Sequence, residues 1–472
     1  MAGIGFRLQK ILAQDSYSGS AKAYAFSALI AAGPFILTVL VVTLIHWVSL
    51  ERLSLEEQTL LQSLITNGFA FSLVTVGVSL MVVTRFVAAE YYHGHVTHFT
   101  AVFFSSFSLH GLVFSPLVLL YLQGFSLSWP VKLNFLLLYL FTSGVWLALI
   151  FLSAAKDYER MGRAFLVGAI VSGVAAYVLG AWQGLVGYFG GFVLGQGVTF
   201  FLFADSILRE FGYKEARDYH WLGYFRRYPL LAGIGFFYNL GIWIDKFLFW
   251  VSPQGVILES GLRHAPIYDA PMFFSYLTVV PALAYFLLKM ETEFFFKYQA
   301  YYRAISAQEG LSALERRRLD MIGSLSYNLK HLLLTQAVIS GLFLLCVPWI
   351  TQATGMDPLQ MGILRNGVFA AFLQVGFLII LNFLLYFDLQ KEAFISTAVF
   401  CVMNGVLTQL SLGWGIPVFG YGYTLACLIA LACAFYFLND RLSRLHYWTF
   451  MRQEIPRPIA IIEEIEEEGS AV

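Results

Sequence analysis

YPLLAGIGFFYNLGIWIDKFLFW, residues Tyr228–Trp250, decides how the rest of the chain is read. It is long and apolar enough to cross a bilayer, which takes about 20 such residues. It nevertheless carries Asp245 and Lys246. A charge at the centre of a spanning helix costs roughly 2.5–3.5 kcal/mol on insertion scales, so it is kept where it faces a bundle interior or a water-filled path. The stretch also follows the basic segment 209–227 and so opens a second half. It reads as the first helix of the second lobe of a transporter.

Outward from this stretch the same apolar pattern repeats. Of 472 residues, 59% are hydrophobic and only 12% charged, with mean hydropathy +0.71. A soluble reading would leave hundreds of apolar residues without a core to enter. Spans are expected at about 23–47, 60–84, 99–121, 133–155, 164–182, 185–208, 228–251, 270–289, 328–350, 361–387, 393–412 and 418–438. The two around Trp182–Gly184 form a tight hairpin. Numbering twelve spans places 24 of the 29 Lys and Arg on the side of the N-terminus. The other five are Arg52, Lys132, Lys246, Arg263 and Arg365. Positive charge stays on the cytoplasmic side, so both termini are expected on the cytoplasmic side of the inner membrane. An odd number of spans would scramble the split.

The expected fold is therefore an all-α polytopic membrane protein: about twelve transmembrane helices in two six-helix lobes around a central cavity. The expected units are an amphipathic N-terminal segment (1–22), a first lobe (23–208), a basic linker (209–227), a second lobe (228–438) and a cytoplasmic tail (439–472). The six-plus-six plan is that of transporters built from two related halves, inferred here from span count. Ile4, Leu8, Ile11 and Leu12 share one helical face near Arg7 and Lys10, as in a helix lying on a membrane surface. No cleavable signal peptide is expected, because the first apolar run is too long for one. Within the second lobe, 290–327 reads as a separate amphipathic, basic segment, either an interfacial anchor or a docking surface. The tail ends in Glu463, Glu464, Glu466, Glu467 and Glu468, a solvated acidic run.

Several function classes drop out. Net charge is zero, which gives no pull toward nucleic acid. Cys346, Cys401, Cys427 and Cys433 lie in apolar runs without metal-binding spacing, so neither a metal nor another cofactor is expected. The sequence holds no GxxxxGK[ST] loop and no HExxH, and its outer loops are too small for a glycosyltransferase site. His110 and His331 read as packed or interfacial histidines. No catalytic residue is assigned.

Candidate functional residues come from charge and aromaticity inside the spans. Asp245 and Lys246 are neighbours, so their side chains leave the helix about 100° apart. Arg365 enters from the same outer side to a similar depth, which makes an Asp245–Arg365 meeting possible. Such charges either order helix packing or line a substrate path or coupling site. Tyr238 and Trp243 flank Asn239 in the same span and are the preferred aromatics for stacking on sugar rings. Glu259 and Asp269 are expected at an outer vestibule. Arg85 and Asp205 mirror the pair at the inner ends of the first lobe. Gly33–Pro34 is the best hinge among Pro34, Pro116, Pro281 and Pro348.

Met1–Phe6 (MAGIGF), the stretch from Ser16 to Pro34, Tyr238–Trp250, Tyr268–Phe294 and Arg444–Gln453 (RLHYWTFMRQ) resemble the PelG family. These are the inner-membrane transporters of Pel exopolysaccharide systems, within the flippase-like superfamily. The resemblance runs to about Gln453. It implies two six-helix lobes and a cargo that is a growing, partly deacetylated amino-sugar polymer for biofilm matrix. It also implies a cytoplasmic glycosyltransferase and small membrane partners, including a cyclic di-GMP receptor subunit, beside the lipid bilayer. Two other classes fit the same spans: an ion-coupled small-molecule efflux protein, and a non-conducting scaffold of an exopolysaccharide synthase.

Overall fold

A computed structural model describes residues 17–213, 218–289 and 293–451. The N-terminal amphipathic face and the acidic tail lie outside these residues, as do parts of the basic linker and of the segment after Lys289. The first half consists of α1 (Tyr17–Ser49), α2 (Leu55–Tyr92), α3 (Phe99–Gln123), α4 (Trp129–Ala155), α5 (Tyr158–Gln183) and α6 (Leu185–Phe211). The second half opens with α7 (Pro229–Val251) and a small hairpin of β1 (Val256–Ile257) and β2 (Arg263–His264). There follow α8 (Pro266–Tyr276), α9 (Val280–Lys289), α10 (Phe295–Ser306), α11 (Leu311–Thr354), α12 (Pro358–Tyr386), α13 (Gln390–Trp414), α14 (Tyr421–Ser443) and α15 (Leu445–Met451). Helices α8 and α9 are joined by the 3-10 turn Leu277–Val279 and together make one span.

Among the described residues eleven helical segments are long and apolar enough to cross a membrane, and the 33-residue α1 carries a further, shorter apolar stretch over Phe35–Ser49, in line with about twelve. The chain is a multi-pass membrane protein. Local sequence sets the helix starts. Ser54 and Glu57 close a capping box on α2, Asp357 and Gln360 do so on α12, and Asp157 caps α5. Proline at the first turn opens α4, α7, α8 and α12. One boundary differs from the sequence reading. The amphipathic segment after Gly310 is not a separate helix but the start of α11, which runs 44 residues, about 66 Å at the helical rise. Nothing between Arg316 and Lys330 is strong enough to break it.

Each half has its own core. In the first, one buried cluster centres on Leu64, Phe135, Tyr139, Tyr188 and Phe192, and a second on Phe99, Phe103, Phe151 and Phe203. The second half is built on α12, whose Val375, Phe377, Ile380 and Leu384 are buried among α13 and α14. The expected hairpin of α5 and α6 is zipped by small residues. Cβ atoms on Gly187, Gly191 and Gly195 of α6 would strike Leu179, Ala176 and Ser172 of α5. Lipid supplies no hydrophobic drive between helices, so such close backbone approach replaces it.

Candidate functional site

Helix α7 carries Asp245 and Lys246 into the interior of the second half, where both are buried. Lys246 folds back along its own helix. Its Nζ donates to Asp245 Oδ1 (3.2 Å), to Asp245 Oδ2 (3.0 Å) and to the Ile242 carbonyl (3.0 Å). All three ammonium protons are thereby used. The Tyr268 hydroxyl of α8 donates to Asp245 Oδ2 at 2.8 Å. Tyr268 is itself held by stacking on Phe249, ring centroids 3.8 Å apart. Around the ammonium stand the rings of Trp243, Tyr276 and Tyr423, at 5.8, 5.3 and 5.3 Å. Tyr276 O–H donates to the Tyr423 hydroxyl at 2.7 Å, which closes the cage between α8 and α14. A desolvated cation over such a ring gains about 2 kcal/mol.

Next to Tyr268, Asp269 Oδ2 accepts from Trp250 Nε1 (2.8 Å) and from the Ala265 amide (3.0 Å). Its Oδ1 is buried without a hydrogen-bond partner among the described residues. No group of three His, Cys, Asp or Glu placed to hold a metal ion occurs among the described residues.

This geometry corrects the sequence reading at several points. Asp245 does not meet Arg365, which is exposed on α12. Helix geometry separates the Cβ directions of Asp245 and Lys246, but four methylenes let Nζ swing back to its neighbour. Asp269 is half-buried beside this cluster, not part of an open vestibule, whereas Glu259 is exposed at the hairpin. Tyr238 packs against Phe377 and Phe400, with its hydroxyl 3.4 Å from Gln374 Nε2. Arg85 and Asp205 do not form a set: Asp205 pairs with Arg209 on α6 (2.8 Å), and Arg85 reaches Asp388 of the second half (3.6 Å). Sequence reasoning missed Tyr268, Tyr276 and Tyr423. Their signal was tyrosine at bilayer depth, where a hydroxyl needs a partner.

The halves touch where α2 crosses α7. A Cβ on Gly77 would lie 2.6 Å from the Gly235 carbonyl oxygen, and one on Gly235 would strike the Gly77 carbonyl. Asn239 sits at this crossing, its Nδ2 donating to the Gly235 carbonyl at 2.8 Å. At the end that carries the basic linker, the Arg85–Asp388 pair spans the halves. At the other end the hairpin of the second half lies on the first. Leu258 and Leu262 are buried in the first-half core, the Glu259 amide donates to Glu56 Oε1 (2.7 Å), and the Ser126 amide donates to the Ser260 carbonyl (2.9 Å).

Chemically, the α7 cluster holds a carboxylate and an ammonium in a buried, ring-lined setting. Neutralising Asp245 would strip Lys246 of its counter-ion while leaving an oxygen able to accept from Tyr268. One carboxylate thus links α7 to α8 directly through Tyr268, and through Lys246 to the rings of Tyr276 and Tyr423 on α8 and α14.

Two comparisons bear on what such a chain does. A sequence profile of exopolysaccharide exporters (EPS-E), that of PelG, matches residues 1–450. The chain belongs to the PelG family. Among solved structures, the PelG-family chain is similar to an outward-facing multidrug resistance MATE transporter of the MOP superfamily. The TM-score is 0.61 at 13% identity, over 90% of this chain and 96% of the other. An inward-facing MATE structure gives 0.59 at 13% identity, covering 89% and 99%. A MOP-superfamily transporter from Pyrococcus furiosus gives 0.56 at 13%, covering 90% and 96%. At these identities the likeness establishes the fold: a MATE-like transporter fold of two helical lobes. Among curated protein sequences none matches. Family and fold together are those of a membrane transporter with an exopolysaccharide-export, flippase-type role, and inner-membrane placement fits both.

Proposed function

We propose that this PelG-family chain moves a growing, partly deacetylated amino-sugar polymer outward across the cytoplasmic membrane, for biofilm matrix, with the basic end of the bundle facing the cytoplasm. The observation that carries this reading is the family match over residues 1–450. In this reading a cytoplasmic glycosyltransferase feeds the polymer, and small membrane subunits, one of them a cyclic di-GMP receptor, stand beside the transporter. Units 23–208 and 228–438 move as lobes on the 209–227 linker. The polymer passes between them when α2 leaves α7 at Gly77 and Gly235.

The Asp245–Lys246 cluster is the coupling element rather than the path wall, because Tyr268, Tyr276 and Tyr423 enclose it. A buried pair is seldom more stable than apolar residues of the same shape. Its retention here is explained if a change in Asp245 charge shifts α7 against α8 and α14. The test uses inverted vesicles holding the chain, the glycosyltransferase and a UDP-amino-sugar. Polymer enclosed and protected from added glycosidase, dependent on this chain, supports export. Polymer made but fully exposed in sealed, correctly inserted vesicles favours the scaffold or small-molecule classes instead.

A further inference from the structure

At the basic end of the second lobe, a cavity of about 250 Å³ opens between α10, the α12–α13 turn, the end of α14 and α15. It is independent of the Asp245 cluster. Its walls are Tyr298 and Tyr302 of α10, Tyr386 and Asp388 of the turn, and Arg441 and Trp448. Two of the residues that line this cavity carry a buried hydrogen-bond donor unmatched among the described residues: Arg441 Nε and Trp448 Nε1. The guanidinium carbon lies over the Trp448 ring, 3.7 Å from its centroid, and Nη2 pairs with Glu392 Oε1 at 2.6 Å. Arg441 is thus held at two points, and Trp448 shares one of them. Buried N–H groups are rarely left unmet, and each unmet one costs free energy that a ligand oxygen would recover.

We propose that this cavity is a saccharide subsite that takes one pyranose ring, neutral or amino-bearing, of the polymer on the cytoplasmic side. The inference rests on the export reading for the identity of its ligand. Aromatic walls suit the C–H faces of a sugar ring, and two unmatched N–H donors suit hydroxyl or amide oxygens. The charges exclude an anion as the better ligand. Arg441 is already neutralised by Glu392, and the other ionised group on the wall is the Asp388 carboxylate, paired with Arg85. Burial pushes the Tyr298 hydroxyl up to about 12 and that of Tyr302 up as well, so both stay neutral. Because Asp388 also forms the ion pair to α2, a ring seated here touches the contact that joins the lobes at this end.

The test is binding of chitobiose and of its N,N′-diacetyl form to the purified full chain, read by saturation-transfer NMR with inorganic phosphate as competitor. Trp448→Phe keeps the aromatic wall and removes one donor, and should weaken disaccharide binding about tenfold. Tyr302→Ala removes stacking area and should weaken it further, at some cost in melting temperature because Tyr302 packs on the core, whereas Trp448→Phe should melt close to wild type. Three results overturn the proposal: no disaccharide binding to wild type, equal binding to wild type and Trp448→Phe, or displacement by phosphate. The export assay separates this from the larger reading. Wild-type export with an unbound or indifferent cavity removes the subsite alone, and absence of export with intact binding removes the transport reading alone.

Discussion

The two lobes place buried polarity in opposite ways. In the first, Thr75 Oγ1, the Tyr139 hydroxyl and His110 Nε2 form a chain with links of 2.9 and 2.9 Å. No Asp, Glu, Lys or Arg takes part. In the second, Tyr268 and the ring cage surround a carboxylate and an ammonium. Hydroxyl and imidazole groups are enough to pin helices together at bilayer depth. A charged pair does the same work at greater desolvation cost and adds something a hydroxyl lacks: a state that protonation or cation binding can change. Among the described residues, the buried carboxylate–ammonium pair of α7 belongs to the second lobe, and the Thr75–Tyr139–His110 chain to the first.

The largest expected effect breaks the contrast at its charged side. Asp245→Asn leaves Lys246 buried without a counter-ion and should destabilise the fold by roughly 3–5 kcal/mol. Tyr139→Phe removes both links of the neutral chain and should cost about 1–3 kcal/mol. Unfolding of both variants in detergent checks the order, and equal losses would erase the distinction between the lobes.

A second prediction sharpens the difference between contact within a lobe and contact between lobes. Gly191→Leu drives a side chain into α5 and should lower the yield of folded protein. Gly235→Leu strikes α2 of the other lobe and should leave each lobe folded while parting them. With cysteines introduced at Arg85 and Asp388, a short bismaleimide should cross-link the parent efficiently and the Gly235→Leu variant poorly. Undiminished cross-linking would show that the Gly77–Gly235 crossing does not set the spacing of the lobes.

The smallest effect belongs to Arg85→Ala. Its pair with Asp388 is partly exposed on both sides, so stability should fall by less than about 1 kcal/mol. High salt should shrink that difference further. A melting comparison at low and high salt checks it, and a large, salt-independent loss would move this pair from a surface latch to a structural element.

These differences track what the sequence made legible. Apolar runs and the distribution of Lys and Arg were enough for about twelve spans and the two-lobed fold, because bilayer thickness imposes length on every helix. The α5–α6 hairpin was equally plain from its short connection. The partner of Asp245 was not. Matching depth pointed to Arg365, whereas the flexible Lys246 side chain finds its neighbour and needs Tyr268 and Tyr276 from elsewhere in the sequence. Arg85 likewise pairs across the lobes with Asp388, more than 300 positions away. The continuity of α11 was hidden because Leu311–Ile322 reads as amphipathic and surface-bound, and only packing shows that the helix does not stop.

In the proposed function the buried pair couples export rather than merely supporting the fold. Replacing both partners at once, Asp245→Leu with Lys246→Met, removes the pair without stranding a charge, so the chain should fold and insert. The decisive measurement is polymer enclosed in sealed inverted vesicles by this double variant, against wild type at equal amounts of inserted protein. Enclosed polymer should be lost while synthesis continues. Enclosure at the wild-type level would contradict the coupling role and leave Asp245 and Lys246 as packing residues.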